Sequence, residues 1–187
     1  MSRKPIGFQN SNFMSTYKPE ITIAGSGDIG LLADLTSYTF RESWLEEGNE
    51  SDLESYVAEY FNAEQMEREV NNPDISYMIV WVDGIAAAYC KLERNIAPEG
   101  HDLAQPICIS RLYVRKEFQN KNLGSLMIDE ALHRGSMEKF RTIWLGVWYK
   151  NPAAIRLYER FGFQKFGNYQ FVMGTEISND FLMKRKI

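Results

Sequence analysis

RLYVRKEFQNKNLGSLMIDEAL, residues 111–132, runs from an apolar stretch through a short polar turn into a helical pattern. The apolar run ends at Val114, and Leu123, Leu126, Met127 and Leu132 then recur on one helix face. A strand that turns into a helix leaves the first helical N–H groups free at the turn. There the helix dipole favours an anion such as a pyrophosphate. Gly124 would let the backbone approach such a ligand closely, and Lys121 would add a charge-assisted contact. Alone, the stretch describes any strand–turn–helix connection, because one glycine specifies little.

WLGVWYKNPAAIRLYERFGF, residues 144–163, repeats the arrangement. Asn151 is a suitable N-cap and Pro152 a suitable first helical residue. Ala154, Leu157, Tyr158 and Phe161 fall at i, i+3, i+4 and i+7, one buried face, and Gly162 supplies the stop. Read by itself, Tyr158 is a core aromatic with its hydroxyl at the rim.

Working outward, EITIA (20–24) alternates like a strand, and Asp28 opens a helix carrying Ile29, Leu32, Leu35 and Phe40. Gly48-Asn49 breaks it. Ser51 is expected to cap a second helix and Asn62 a third, with Gln65 in capping-box spacing. SYMIVWV and IAAAYCKL around Asp83-Gly84 predict a β-hairpin, since an Asp-Gly pair suits the tight turn that strand twist favours. The strand 107–114, a helix to about Phe140, the strand 142–148 and the helix 152–160 follow. GNYQFVMG and DFLMKRK close the chain as strands around a TEISN loop. This order predicts an α/β (α+β) fold, a mixed sheet flanked by helices, with the chemistry at the strand–helix turns of the second half.

Together, and in this order, the two opening stretches resemble the signatures of the GNAT superfamily of acyl-CoA N-acyltransferases. Gln119, Asn120, Lys121, Asn122, Leu123 and Gly124 occupy its (Gln/Arg)-x-x-(Gly/Ala)-x-(Gly/Ala) loop, with Asn122 in place of the first small residue. Asn tolerates left-handed backbone angles better than most residues. Asn151, Ala154, Tyr158, Gly162 and Phe163 match the second signature at every spacing. WLGVW, FVMG, the early FRESW and the acidic helices are similar in style to PaiA-type spermidine/spermine acetyltransferases.

The resemblance implies two strands, 107–114 and 142–148, that splay apart around acetyl-CoA. The pantetheine arm would pair with Leu112, Tyr113 and Val114, and the loop from Gln119 to Ser125 would hold the pyrophosphate. Asn151, with Ala154 behind it, would contact or order the pantetheine. Arg160 would reach the nucleotide. Tyr158 stands at the family position for the acid that protonates the departing thiolate. Direct attack by an amine also needs an oxyanion donor, here a backbone N–H beside Leu112 or Tyr113, and a base. Relatives often place a glutamate where this chain has Ser110, so Glu93 or a water on Ser110 is the remaining expectation.

Composition constrains the rest. The 187 residues are 44% hydrophobic and 25% charged with net charge −4, which fits one globular domain, expected over 19–187 after a polar tail at 1–18. Without an apolar run of membrane length or a signal-peptide pattern, a cytoplasmic location with no membrane association is expected. Residues 42–74 hold eleven acidic side chains against one basic, Arg68. That field disfavours nucleic acid and can attract a cationic substrate, although the carboxylates equally fit solvated helix faces. Cys90 and Cys108 read as buried thiols, and His101 and His133 lack ligand spacing, so no metal is expected. Three readings stay open: acetylation of a small cationic amine such as a polyamine, acetylation of a protein N-terminus or lysine, and a catalytically silent acetyl-CoA sensor. A homodimer is compatible with any of them.

Overall fold

The computed structural model describes residues 18–44 and 49–187. Nearly all of the polar tail and Gly48 of the expected helix break lie outside the described residues. Among the described residues are seven strands: β1 (Glu20–Ile23), β2 (Ile75–Val82), β3 (Ile85–Arg94), β4 (Pro106–Val114), β5 (Thr142–Val147), β6 (Gln164–Met173) and β7 (Glu176–Lys186). Five α-helices accompany them: α1 (Ile29–Trp44), α2 (Glu50–Tyr60), α3 (Ala63–Val70), α4 (Leu123–Met137) and α5 (Pro152–Arg160). The strands form one sheet in the order β1-β2-β3-β4-β5-β7-β6. Every neighbouring pair is antiparallel except β4 and β5, which run parallel.

The central strands are apolar on both sides because both sheet faces are covered. Along β2, Met78, Val80 and Val82 join the core beneath α4 and α5, while Tyr77 and Ile79 face α1, α2 and α3. The β2–β3 turn forms at the Asp-Gly pair, with Asp83 at φ 50° and Gly84 at φ 78°, both left-handed as a tight hairpin requires.

Local chemistry shifts several boundaries. The cap of α2 is Asn49 rather than Ser51: its Oδ1 accepts from the Ser51 and Asp52 amides at 2.8 and 3.4 Å, which places Ser51 inside the helix. Asn62 caps α3 through the Gln65 amide at 2.8 Å, but the Gln65 side chain donates to Glu69 instead of reaching back. Helix α4 ends at Met137, short of Phe140, and Lys139 then turns left-handed at φ 66°. Most of the expected TEISN loop is strand; only Gly174 and Thr175 turn, and Asp52 of α2 accepts from both the amide and the hydroxyl of Thr175.

A charged network lies between α3 and the sheet. Glu69 and Lys91 are 6% and 5% exposed, with Lys91 Nζ 3.0 Å from Glu69 and 2.7 Å from Glu93. Tyr77 donates to Glu69, and Arg111 Nη1 donates to the Tyr77 hydroxyl at 3.0 Å. Burial alone would raise the Glu69 pKa, but Arg111, Lys91 and the donated hydrogen bonds hold it below the usual carboxylate value. Such a group contributes stability above its unfolded pKa and loses it as pH falls through the folded value. Glu69→Gln is therefore expected to cost about 3 kcal/mol at neutral pH by stranding buried cations. Below about pH 5 the variant should lose further stability less steeply than wild type. Denaturant titrations across pH check both effects.

Candidate active site

The site begins where two strands part. β4 and β5 pair only from Pro106↔Thr142 to Ile109↔Leu145. Against β3, Ile109 faces Leu92 while Arg111 faces Lys91, so Ser110 is an extra residue in β4. A bulge of this kind bends its strand. Beyond it, residues 111–114 keep pairing with β3 but turn an unpaired edge toward the gap. That edge can accept an extended ligand as an added strand.

The gap opens into a cleft of about 1100 Å³. Sites for one small ligand run to roughly 1,000 Å³, so this one has room for a cosubstrate and an acceptor. Leu112, Tyr113 and Val114 form one wall. Gln119, Asn120, Asn122, Leu123, Gly124 and Ser125 form the turn into α4. Asn151, Ala154, Tyr158 and Arg160 line it from α5. Lys121 is not among the lining residues; its ammonium lies 4.9 Å from the Phe118 ring centroid.

The turn has the form its sequence requires. Asn120 and Asn122 are left-handed at φ 60° and 62°, so asparagine takes the angle a glycine would otherwise supply. Asn122 makes no side-chain cap, and the first amides of α4 stay available to an anion. A Cβ on Gly124 would meet Leu157 at 3.2 Å, so the small residue also lets α4 and α5 pack closely. Gln119 steadies the loop by donating to the Val114 carbonyl at 3.2 Å.

Asn151 is held as the cap of α5, accepting from the Ala154 amide at 3.0 Å. Tyr158 is 7% exposed, and its pKa is raised first by burial and then by Cys90 and Tyr113. It is therefore protonated at neutral pH and able to donate. Tyr113 is pushed up to about 12, chiefly by burial. Of the base candidates, Ser110 lines the cleft, with Oγ 3.4 Å from the Lys91 carbonyl oxygen. Glu93 does not line it and is paired with Lys91.

The other half of the cleft is walled by aromatic rings. Trp44 of α1 packs on Trp148 and Phe171 with centroids 5.2 and 5.8 Å apart, and Tyr56 of α2 lies 5.7 Å from Phe171. These contacts join the helical side to the β5–β6 side. Sequence reading missed this aromatic wall because its parts come from four places in the chain. It also missed Asp180, a cleft-lining carboxylate 4% exposed at the β7 position paired with Tyr169. Its signal was a polar residue on an inward strand position, one face with Leu182.

Among its described residues the acidic stretch contributes rings rather than carboxylates. Among the described residues, Phe40, Ser43, Trp44, Tyr56 and Phe61 line the cleft, while Glu54 pairs with Arg41, Glu64 with Arg68 and Asp52 with Thr175. No group of three or more His, Cys, Asp or Glu suited to a metal occurs among the described residues. Nor is any described helix long and apolar enough to cross a membrane.

The β4–β5 pair splays open onto the start of α4, and the model of the acetyltransferase (GNAT) family matches residues 37–163. The chain belongs to that family and is an acetyltransferase. It is 28% identical over 149 residues to an uncharacterized N-acetyltransferase of Lactobacillus delbrueckii subsp. lactis, covering 80% of this chain and 86% of that one. A spermine/spermidine N(1)-acetyltransferase of Bacillus subtilis is 35% identical over 66 residues, 35% of this chain and 43% of its own. The PaiA N-acetyltransferase of Thermoplasma acidophilum, solved with coenzyme A, superposes with TM-score 0.72 at 20% identity, covering 91% and 99% of the two chains.

The left-handed turn gives a direct test by calorimetry with CoA. Asn122→Gly should bind within about twofold of wild type. Asn122→Val should lose about tenfold, since a β-branched residue resists that angle by at least 1 kcal/mol.

Proposed function

We propose that the chain transfers the acetyl group of acetyl-CoA to the primary amine of a small cation, with polyamines the best candidates. The observation that carries this reading is the aromatic-walled half of the cleft with a buried carboxylate in its wall. Aromatic faces attract an alkylammonium, and Asp180 supplies the opposite charge. The Bacillus subtilis spermine/spermidine acetyltransferase, and a Vibrio cholerae spermidine/spermine acetyltransferase similar in structure at TM-score 0.62 and 18% identity, support the same acceptor class.

In this reading the unpaired edge of Leu112–Val114 takes the pantetheine arm, and the first turn of α4 takes the pyrophosphate. Asn151 orders the neighbouring strand–helix turn, and Arg160 serves the nucleotide end. A backbone N–H beside Leu112 or Tyr113 stabilises the oxyanion as the amine attacks. Tyr158 protonates the departing thiolate. Holding two reactants in one cleft removes much of the entropic cost of their encounter.

Thiol release from acetyl-CoA is the test, with spermidine, spermine, amino acids and peptides offered side by side. Turnover is expected to favour the polyamines and to fall about 100-fold or more in Tyr158→Phe, the scale of a lost general acid. Turnover with peptides alone would replace the cationic acceptor with a protein one. CoA binding without turnover would replace the enzyme with a sensor.

A further inference from the structure

The reaction needs a base, and the position that often supplies one in relatives is Ser110. The charged groups of the cleft narrow the choice. Among the described residues its walls include two carboxylates, Glu159 and Asp180, and no histidine. Glu159 is exposed on α5 between Arg156 and Arg160 of the same wall, at the proposed nucleotide end. Asp180 is 4% exposed and lies on β7 one residue from Phe181, the partner of Val147 where β5 ends.

The setting of Asp180 is built around it. Ser178 Oγ donates to Asp180 Oδ1 at 2.7 Å, and the Tyr149 amide and the Tyr169 hydroxyl also donate to the carboxylate. Tyr169 in turn lies across Gly146, where a Cβ would come within 2.6 Å of the phenol oxygen. Gly146 is the first β5 residue past the last β4 partner, Leu145. The Tyr169–Asp180 pair therefore stands at the apex of the gap, on the wall facing the bulged Ser110. Among the described residues no arginine, lysine or histidine forms an ion pair with Asp180.

We infer that Asp180 is the general base, receiving the acceptor's ammonium at the apex and taking its proton while Ser178 and Tyr169 hold the carboxylate in place. The inference rests on the reading above that the acceptor is an amine. The ammonium gives one proton to Asp180, leaving a neutral amine and a carboxylic acid. The amine's lone pair forms the N–C bond to the thioester carbonyl carbon, and the C–S bond breaks with its electrons on sulfur. Tyr158 gives a proton to the thiolate and regains one from the new amide nitrogen. Asp180 then releases its proton to water, so ammonium and thioester become amide, thiol and one free proton.

Burial supports the role: it raises the Asp180 pKa against the three donated hydrogen bonds, making the group a better proton acceptor than a solvated carboxylate. The titratable groups facing it are Tyr169 from β6 and Tyr113 from β4. Both are raised by burial and stay neutral through the working range.

The test compares wild type, Asp180→Asn and Ser178→Ala on spermidine and on alkylamines made progressively less basic by fluorination. On acceptors whose conjugate acids titrate near about pH 10, Asp180→Asn should lose roughly 100-fold or more in kcat with unchanged CoA affinity. The loss should shrink toward unity for acceptors already neutral at the assay pH. Ser178→Ala, which removes a donor to the carboxylate, should move the acid limb of kcat/KM to higher pH while the enzyme stays folded and active. A loss equal for all acceptors, or an Asn variant within about threefold of wild type, would overturn the assignment, as would an unmoved limb in Ser178→Ala. Absence of wild-type turnover on every amine would instead remove the acceptor reading, and this inference with it.

Discussion

The whole site depends on the interruption of one hydrogen-bond ladder. After Ile109 and Leu145, β4 and β5 no longer pair, although each continues as strand. Exposed strand edges are normally a liability, open to any chain that can pair with them. Here the edge is sunk between two covered sheet faces, so a narrow extended group can reach it and a folded neighbour cannot. The interruption has a local cause in the extra residue Ser110, which bends β4 while leaving its pairing with β3 intact. Everything that lines the cleft is then placed by the elements on its two sides.

Parting the strands exposes polar backbone and removes packing, and a network of paired charges lies beside the bend. Arg111, the first residue after the bulge, donates to Glu69 of α3 and Tyr77 of β2, and its Cζ lies 4.6 Å from the Phe61 ring centroid. Lys91, its register partner on β3, is tied to Glu69 and Glu93. The bulge is thus gripped from one face by paired charges. On the other face, Ile109 and Leu112 stay packed in the core under α4 and α5. A bend clamped this way can hold cleft geometry without a ligand present.

The legible parts of the fold were those written locally. The Asp83-Gly84 hairpin, the Asn151-Pro152 helix start and the left-handed asparagines of the loop each follow from the conformational range of a few adjacent residues. What sequence could not supply was the result of distant strands meeting. Asn49 and Ser51 are both capping residues two positions apart, and the helix starts at the earlier one, whose Oδ1 accepts from the Ser51 and Asp52 amides. The turn at Gly174 tightened because Asp52, far away in sequence, accepts from Thr175. In the acidic stretch the negative charge was legible, but the ion pairs of Glu54 and Glu64 and the rings that face the cleft were not.

The absence of a carboxylate at position 110 and the presence of one at 180 are two views of the same geometry. A base must reach the apex of the gap, and that apex is bordered by two strands, so it can be served from either wall. On the β4 wall a short Ser110 side chain leaves space. On the opposite wall Gly146 leaves room for the Tyr169 phenol, and Tyr169 and Ser178 both donate to the Asp180 carboxylate. A carboxylate held by three donors and, among the described residues, by no cation has its orientation fixed but its charge unneutralised. It can therefore attract an ammonium and still compete for that ammonium's proton, which an ion-paired carboxylate such as Glu93 would do poorly.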